Sequence, residues 1–119
     1  MDFKVLFPAG YQVNDILNDN TDINIVFENG DVYFAVFFTI LNVEYLLVKD
    51  NIPYFWSDDM LIIKDLSQAT IRESISLIVK TGCFVKAFTR IGRLGENDLY
   101  NGVSFDEIVD MAAGYETGS

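Results

Sequence analysis

The chain contains no histidine. It therefore lacks the side chain most used as general base and metal ligand, and with it any Ser-His or Cys-His arrangement. What remains for chemistry is carboxylate. Two carboxylates can cleave a glycosidic bond when their surroundings push their pKa values apart. Asp58-Asp59 is the most conspicuous pair. Adjacent strand residues point to opposite faces, so these two are read as a solvated hairpin turn. The stretch Asn18-Asp19-Asn20-Thr21-Asp22 sets side-chain oxygens at alternate positions, as a calcium loop does. An EF-hand needs glycine where Ile23 stands and glutamate where Asn29 stands, so no metal site is expected. The one cysteine, Cys83, follows a predicted helix C-terminus, where the dipole disfavours a thiolate. It is read as a buried structural thiol. Gly92-Arg93-Leu94-Gly95 lacks the lysine and the strand-to-helix setting of a phosphate loop. No catalytic residue and no cofactor are expected.

A different constellation is more suggestive. Tyr54, Phe55 and Trp56 adjoin Asp58 and Asp59. Aromatic residues rimmed by charge are the composition of an interface hot spot, and equally of a core edge. The acids Asp19, Asp22, Glu28 and Asp31 precede this cluster. These six acids, with Tyr54 and Trp56 as anchors, are the candidate partner-binding residues.

These residues have to be positioned by a single domain of 119 residues, half of them hydrophobic. That length supports a real core, and that composition excludes disorder. Phe3 to Phe7 reads as a strand ended by Pro8-Ala9-Gly10. A short helical turn is placed at Ile16-Leu17. Asp22 to Glu28 and Asp31 to Phe38 flank Asn29-Gly30, the strongest short hairpin signal, expected as a type I′ turn with φ > 0 at both residues. Val32 to Phe38 is apolar on both faces, as in a strand covered on both sides. Thr39 caps a helix through Asp50, with Ile40, Val43 and Leu47 as its stripe. Ile52 to Trp56 and Met60 to Ile63 read as a second hairpin. Ser67 opens the clearest helix, with Ile71, Ile75 and Ile78 inward and Gly82 as its C′ residue. Cys83 to Thr89 alternates as a last strand. Ile91 to Gly102 reads as a mobile loop. Ser104 to Glu107 is a capping box opening a helix to Ala113, and 115–119 is a frayed tail.

The fold class expected is α+β: a mainly antiparallel five- to six-stranded sheet packed by two to three helices. Helix-to-strand spacing allows one parallel pair. The two-sided strand predicts that a helix, a partner or a second copy closes the second face.

The net charge is −10, with 18 acids against 8 bases. It opposes nucleic-acid and anionic-membrane binding and steers the chain towards a basic partner. Residues 1–63 carry ten acids and two bases, and 64–93 carry two acids and six bases. No apolar run approaches the roughly 18 to 20 residues of a membrane span. The start, Met1-Asp2-Phe3-Lys4, lacks the pattern of a signal peptide. With a single cysteine, this points to the cytoplasm.

Val32 to Thr39, then Tyr54 to Met60, then Ile71 to Phe84 resemble the small, acidic, single-domain α+β immunity proteins that bacteria carry against polymorphic toxins. The resemblance implies a non-enzymatic inhibitor that blocks a basic toxin, often a nuclease, by direct contact. It carries over no residue roles. Three other readings compete: a carboxylate enzyme, a small-ligand or peptide-binding module with an apolar cavity, and a structural homodimer.

Overall fold

The computed structural model describes residues 2–8, 11–95 and 103–108. The fold is α+β, built on a five-stranded mixed sheet that is mostly antiparallel. β1 (Phe3–Leu6), β2 (Asn20–Phe27) and β3 (Asp31–Thr39) form an antiparallel run. α1 (Ile40–Lys49) follows, then β4 (Met60–Ile63), α2 (Gln68–Lys80), the short α3 (Phe84–Ala87), β5 (Thr89–Arg93) and a 3-10 turn at Phe105–Glu107.

β3 is the hub. β2 pairs along one of its edges, and two strands share the other. β4 lies parallel beside Val36–Thr39, and β5 lies antiparallel beside Asp31–Phe34. Asp59 stands where the two meet. Its carbonyl accepts from Val36 N–H at 3.0 Å, and its carboxylate accepts from the Thr89 hydroxyl. It does so at φ +58.

The two-sided reading of β3 holds: along Val32–Phe38 only Phe34 is half-buried, and the rest are buried. On the first face Ile23, Ile25, Phe27, Tyr33 and Phe37 meet Ile71 and Ile75 of α2. The predicted stripe of α2 is therefore right, as is its Ser67 cap, whose Oγ accepts from Thr70 N–H at 3.2 Å. Gly82 takes the C′ place at φ +78. On the second face Leu6, Val26 and Val32 are closed by Ile108, and Phe38 is closed by the Phe55 ring, 5.1 Å between centroids. Lys4 Nζ ties the 3-10 turn down by donating to Phe105 O and Ile108 O, both at 2.7 Å. The chain itself thus covers both ends of that face.

Several expectations are corrected. Asn29-Gly30 does make the hairpin, but only Gly30 has positive φ (+95). Gly30 N–H donates to Phe27 O at 2.9 Å, giving a type I turn closed by a left-handed glycine in a three-residue loop. Residues 52–56 form no strand, and β4 joins β3 in parallel rather than a second hairpin. A ten-residue helix separates β3 from β4, which permits the crossover that a parallel pair requires. Cys83 to Thr89 is not a strand. Phe84, Ala87 and Phe88 recur at helical spacing, and the short α3 turns them into the core, Phe84 stacking 4.8 Å from Phe27. Cys83 is exposed, not buried. The start of the predicted loop 91–102 belongs to β5, where a bulge at Val32/Tyr33 accommodates Ile91. Residues 96–102, 109–113 and 115–119 of the predicted loop, helix and tail lie outside the described residues. The capping box itself is present, with Glu107 Oε1 accepting from Ser104 N–H at 3.1 Å.

Tyr11 pins the segment before β2. Its hydroxyl donates to Leu66 O at 2.8 Å. Burial, then the nearby Asp19 charge, push the phenol up from 10.0 to about 12. The native state thus favours the neutral phenol, so this contribution is complete below pH 10.0 and lost as the pH rises through about 12. A Tyr11→Phe variant is expected to start less stable at neutral pH, by about 1 kcal/mol for the lost hydrogen bond. It should also lose less further stability over that alkaline window. Urea titrations at stepped pH check this, and parallel curves for the two proteins would refute it.

Candidate interaction surface

α1 is positioned by its first turn. Thr39, only 1% exposed, is its N-cap. Thr39 Oγ1 accepts from Asn42 N–H at 3.2 Å and Asp19 N–H at 3.3 Å. Asn42 is buried and lies in a polar network. Its Oδ1 accepts from Asn20 Nδ2 at 2.9 Å, and its own amide donates to Asn18 Oδ1 at 3.3 Å. Asn18, Asp19 and Asn20 of the oxygen-rich stretch are thus occupied in holding α1.

This network sets the helix rotation. With Asn42 inward, Val43, Leu46 and Leu47 are half-buried, while Ile40, the first residue of the helix, is exposed at its end. The expected stripe of Ile40, Val43 and Leu47 is corrected at Ile40. The outward side carries Ile40 (62% exposed), Leu41, Tyr45 and Val48 (81%), with Glu44 among them. Lys49 Nζ sits 5.9 Å above the Tyr45 ring.

The chain returns from α1 to β4 through 50–59. Ile52 N–H donates to Leu47 O at 3.1 Å, and Phe55 packs on Phe38 at the foot of α1. Tyr54 and Trp56, on either side of Phe55, point away from the core at 64% and 68% exposure. One end of the sheet therefore bears an exposed apolar and aromatic surface. Soluble monomers rarely leave such groups uncovered without a use for them. Asp58 is exposed just beyond Trp56, and Asp19 lies at the base of α1 beside Thr39.

The eight predicted contact residues do not form one patch. Asp19, Tyr54 and Trp56 belong to this end, while Asp58 stands beside Asp59 at the start of β4, level with the middle of β3. Asp59 is half-buried at the β4–β5 junction. Asp22 lies on the second face, opposite Val36, beside a hollow of about 350 Å³ lined also by Leu6, Pro8, Asn24 and Phe34. Glu28 and Asp31 sit at the hairpin, at the far end of β3, about 26 Å away for a nine-residue strand. Asp31 is paired there with Arg90 at 3.1 Å and Arg93 at 3.7 Å. The basic block of the sequence thus folds onto an acid of the acidic block. The outward residues of α1 were missed because an apolar stripe was assumed to face inward. The available signal was that α1 is apolar around most of its circumference, more than one buried side accounts for.

Among the described residues no three Cys, Asp or Glu side chains group so as to hold a metal ion. Asp65 is held below its ordinary value by hydrogen bonds from Ser67, and Glu107 likewise by Ser104. No helix among the described residues is long and apolar enough to cross a membrane.

No family model, curated protein or solved structure matches the chain. Its function has to be argued from its own surface.

Proposed function

We propose that this chain is a non-enzymatic binding domain that acts in the cytoplasm by direct contact with a basic protein, in the manner of an immunity-type inhibitor of a toxin. The observation that carries this reading is the exposed apolar face of α1 together with Tyr54 and Trp56. Large aromatic residues at this degree of exposure are the residue types that dominate binding energy once covered. Asp19, Glu44, Asp50 and Asp58 lie near that surface in the chain or in space and set its sign. On a molecule of charge −10 they would attract a basic partner and speed association.

The test is capture from lysate at low salt, followed by affinity measurements on whatever basic protein is retained in stoichiometric amount. Trp56→Ala is expected to weaken that complex by roughly 30-fold or more, as a hot-spot residue does. The same change should shift folding stability by less than about 0.5 kcal/mol, since the side chain is exposed. The association rate should fall steeply with added salt. An affinity that ignores both Trp56→Ala and Tyr54→Ala would sink the proposal, and a salt-independent rate would remove its electrostatic part.

A further inference from the structure

Asn29-Gly30 brings together the two groups of a reaction that the chain can carry out on itself. The side-chain amide of Asn29 is an electrophile. The backbone nitrogen of Gly30, a residue without a Cβ, is the least hindered nucleophile that could follow it. Attack of that nitrogen on Asn29 Cγ forms a C–N bond and breaks the Cγ–Nδ2 bond. Ammonia leaves, carrying away the proton that Gly30 gives up. Water then opens the cyclic imide at either carbonyl. One product is aspartate. In the other, isoaspartate, the main chain runs through Cγ. The net change is water consumed and ammonia released.

Asn29 is exposed, so water reaches it freely. The fold holds the two reacting groups apart. Gly30 N–H donates to Phe27 O at 2.9 Å and closes the type I turn. At the place Asn29 takes in such a turn ψ is about 0°, which sets the Gly30 nitrogen about 120° round the Cα–C bond from the side chain. Ring closure needs the two nearly eclipsed, so the peptide between Asn29 and Gly30 has to rotate. Both its ends are held, the N–H by Phe27 and the carbonyl by Arg93 Nη2, which donates to Asn29 O at 2.6 Å. The side chain is held too. Its Oδ1 accepts from Asp31 N–H at 2.9 Å, and its Nδ2 donates to Asp31 Oδ2 at 3.3 Å. Leu94 N–H donates to Gly30 O at 2.8 Å, so β5 and the residue after it carry part of this lock.

We propose that Asn29 is a covalent modification site, locked by the native hairpin and freed by local opening at β5, so that its conversion to isoaspartate records that opening. The conversion is one-way. Isoaspartate adds a methylene to the main chain of a three-residue loop. A loop lengthened there no longer closes the bond from Gly30 N–H to Phe27 O with β2 and β3 in register.

Incubation of the full chain at mildly alkaline pH, followed by proteolytic mapping, tests this. The mapping separates Asn29 from the other Asn-Gly step of the sequence, Asn101-Gly102. Asn29 in the folded chain is expected to convert at least about tenfold more slowly than in the same chain in denaturing urea. Arg93→Ala should speed conversion of the folded chain by about fivefold, the factor carried by one hydrogen bond, and leave the rate in urea unchanged. The α2 amides of that variant should stay protected from hydrogen exchange, which a merely unfolded variant would not show. The isoaspartate product, isolated by its added charge, should exchange its hairpin and β5 amides faster than the parent. Asn29→Asp, which adds the charge without the methylene, should not. Equal rates in the folded and urea-unfolded chain, no acceleration by Arg93→Ala, or a modified chain that exchanges like its parent would each overturn the proposal.

Discussion

Phe37→Ala is expected to lower the folding free energy by about 3–5 kcal/mol, the range for removing a buried phenyl ring. For a domain of this size that is a fall of roughly 10–20 °C in melting temperature. Phe37 is 1% exposed at the centre of β3, opposite Thr21 on β2 and Leu61 on β4. It belongs to the cluster that includes Ile25, Ile71 and Ile75. The lost ring leaves a void between sheet and α2 that backbone held on both edges cannot collapse to fill. Phe34→Ala, on the other face and half-buried, is the control and should lose less. Thermal melts of both decide it; a smaller loss at Phe37 than at Phe34 would mean that the first face is not the principal core.

The second large effect concerns Thr39→Val. The substitution keeps the shape and removes the hydroxyl. Asn42 N–H then loses its cap, Asp19 N–H loses an acceptor, and the hydroxyl's own donation to Asp19 O at 3.3 Å is gone. A missing cap is worth about 1 kcal/mol, and each buried polar group left unpaired about 1–3 kcal/mol. The expected total is about 2–4 kcal/mol, concentrated at α1. Hydrogen exchange gives the signature: α1 amides should lose protection well before those of α2. Uniform loss across both helices would show that Thr39 supports the whole fold rather than the mounting of α1. Because Ile40, Leu41, Tyr45 and Val48 ride on this helix, the same variant should also weaken partner capture.

The parts of the fold that were legible share one property: their signals are local. Asn29-Gly30 announces a reversal whichever turn type results. Thr39 and Ser67 announce helix starts because a hydroxyl can satisfy the first free N–H groups only there. Ile71, Ile75 and Ile78 mark an inward stripe because nothing polar competes with it. The misreadings arose where several outcomes suit one pattern. Phe84, Lys86 and Phe88 alternate, yet Phe84, Ala87 and Phe88 equally fit a helical turn, and the core packing of Phe84 selects the turn. Thr89–Arg93 carries glycine and two arginines and looks like loop, but β3 offers it a vacant edge and Asp31 offers it ion pairs. At the candidate surface the aromatic pair was visible from composition alone. The outward side of α1 was not, because the rotation of that helix is fixed by Asn18 and Asn20, more than twenty residues earlier in the chain.

The shared edge of β3 also sets an order of events during folding. β2 and β3 are joined by a three-residue loop, so their pairing needs almost no chain closure and belongs to the microsecond range of hairpins. β5 must reach the same strand across the whole of α1, β4 and α2, with Tyr33 meeting Arg90. That contact carries a much larger loop entropy and is formed late. β4 and β5 compete for no hydrogen bonds, yet both depend on β3 being in place first. The hairpin is therefore expected to form first, ahead of the pairing of β5. In unfolding, β5 is expected to detach first, which hydrogen exchange of its amides would show, and its loss would release Asp31 from Arg90 and Arg93 while the opposite half of β3 is still paired.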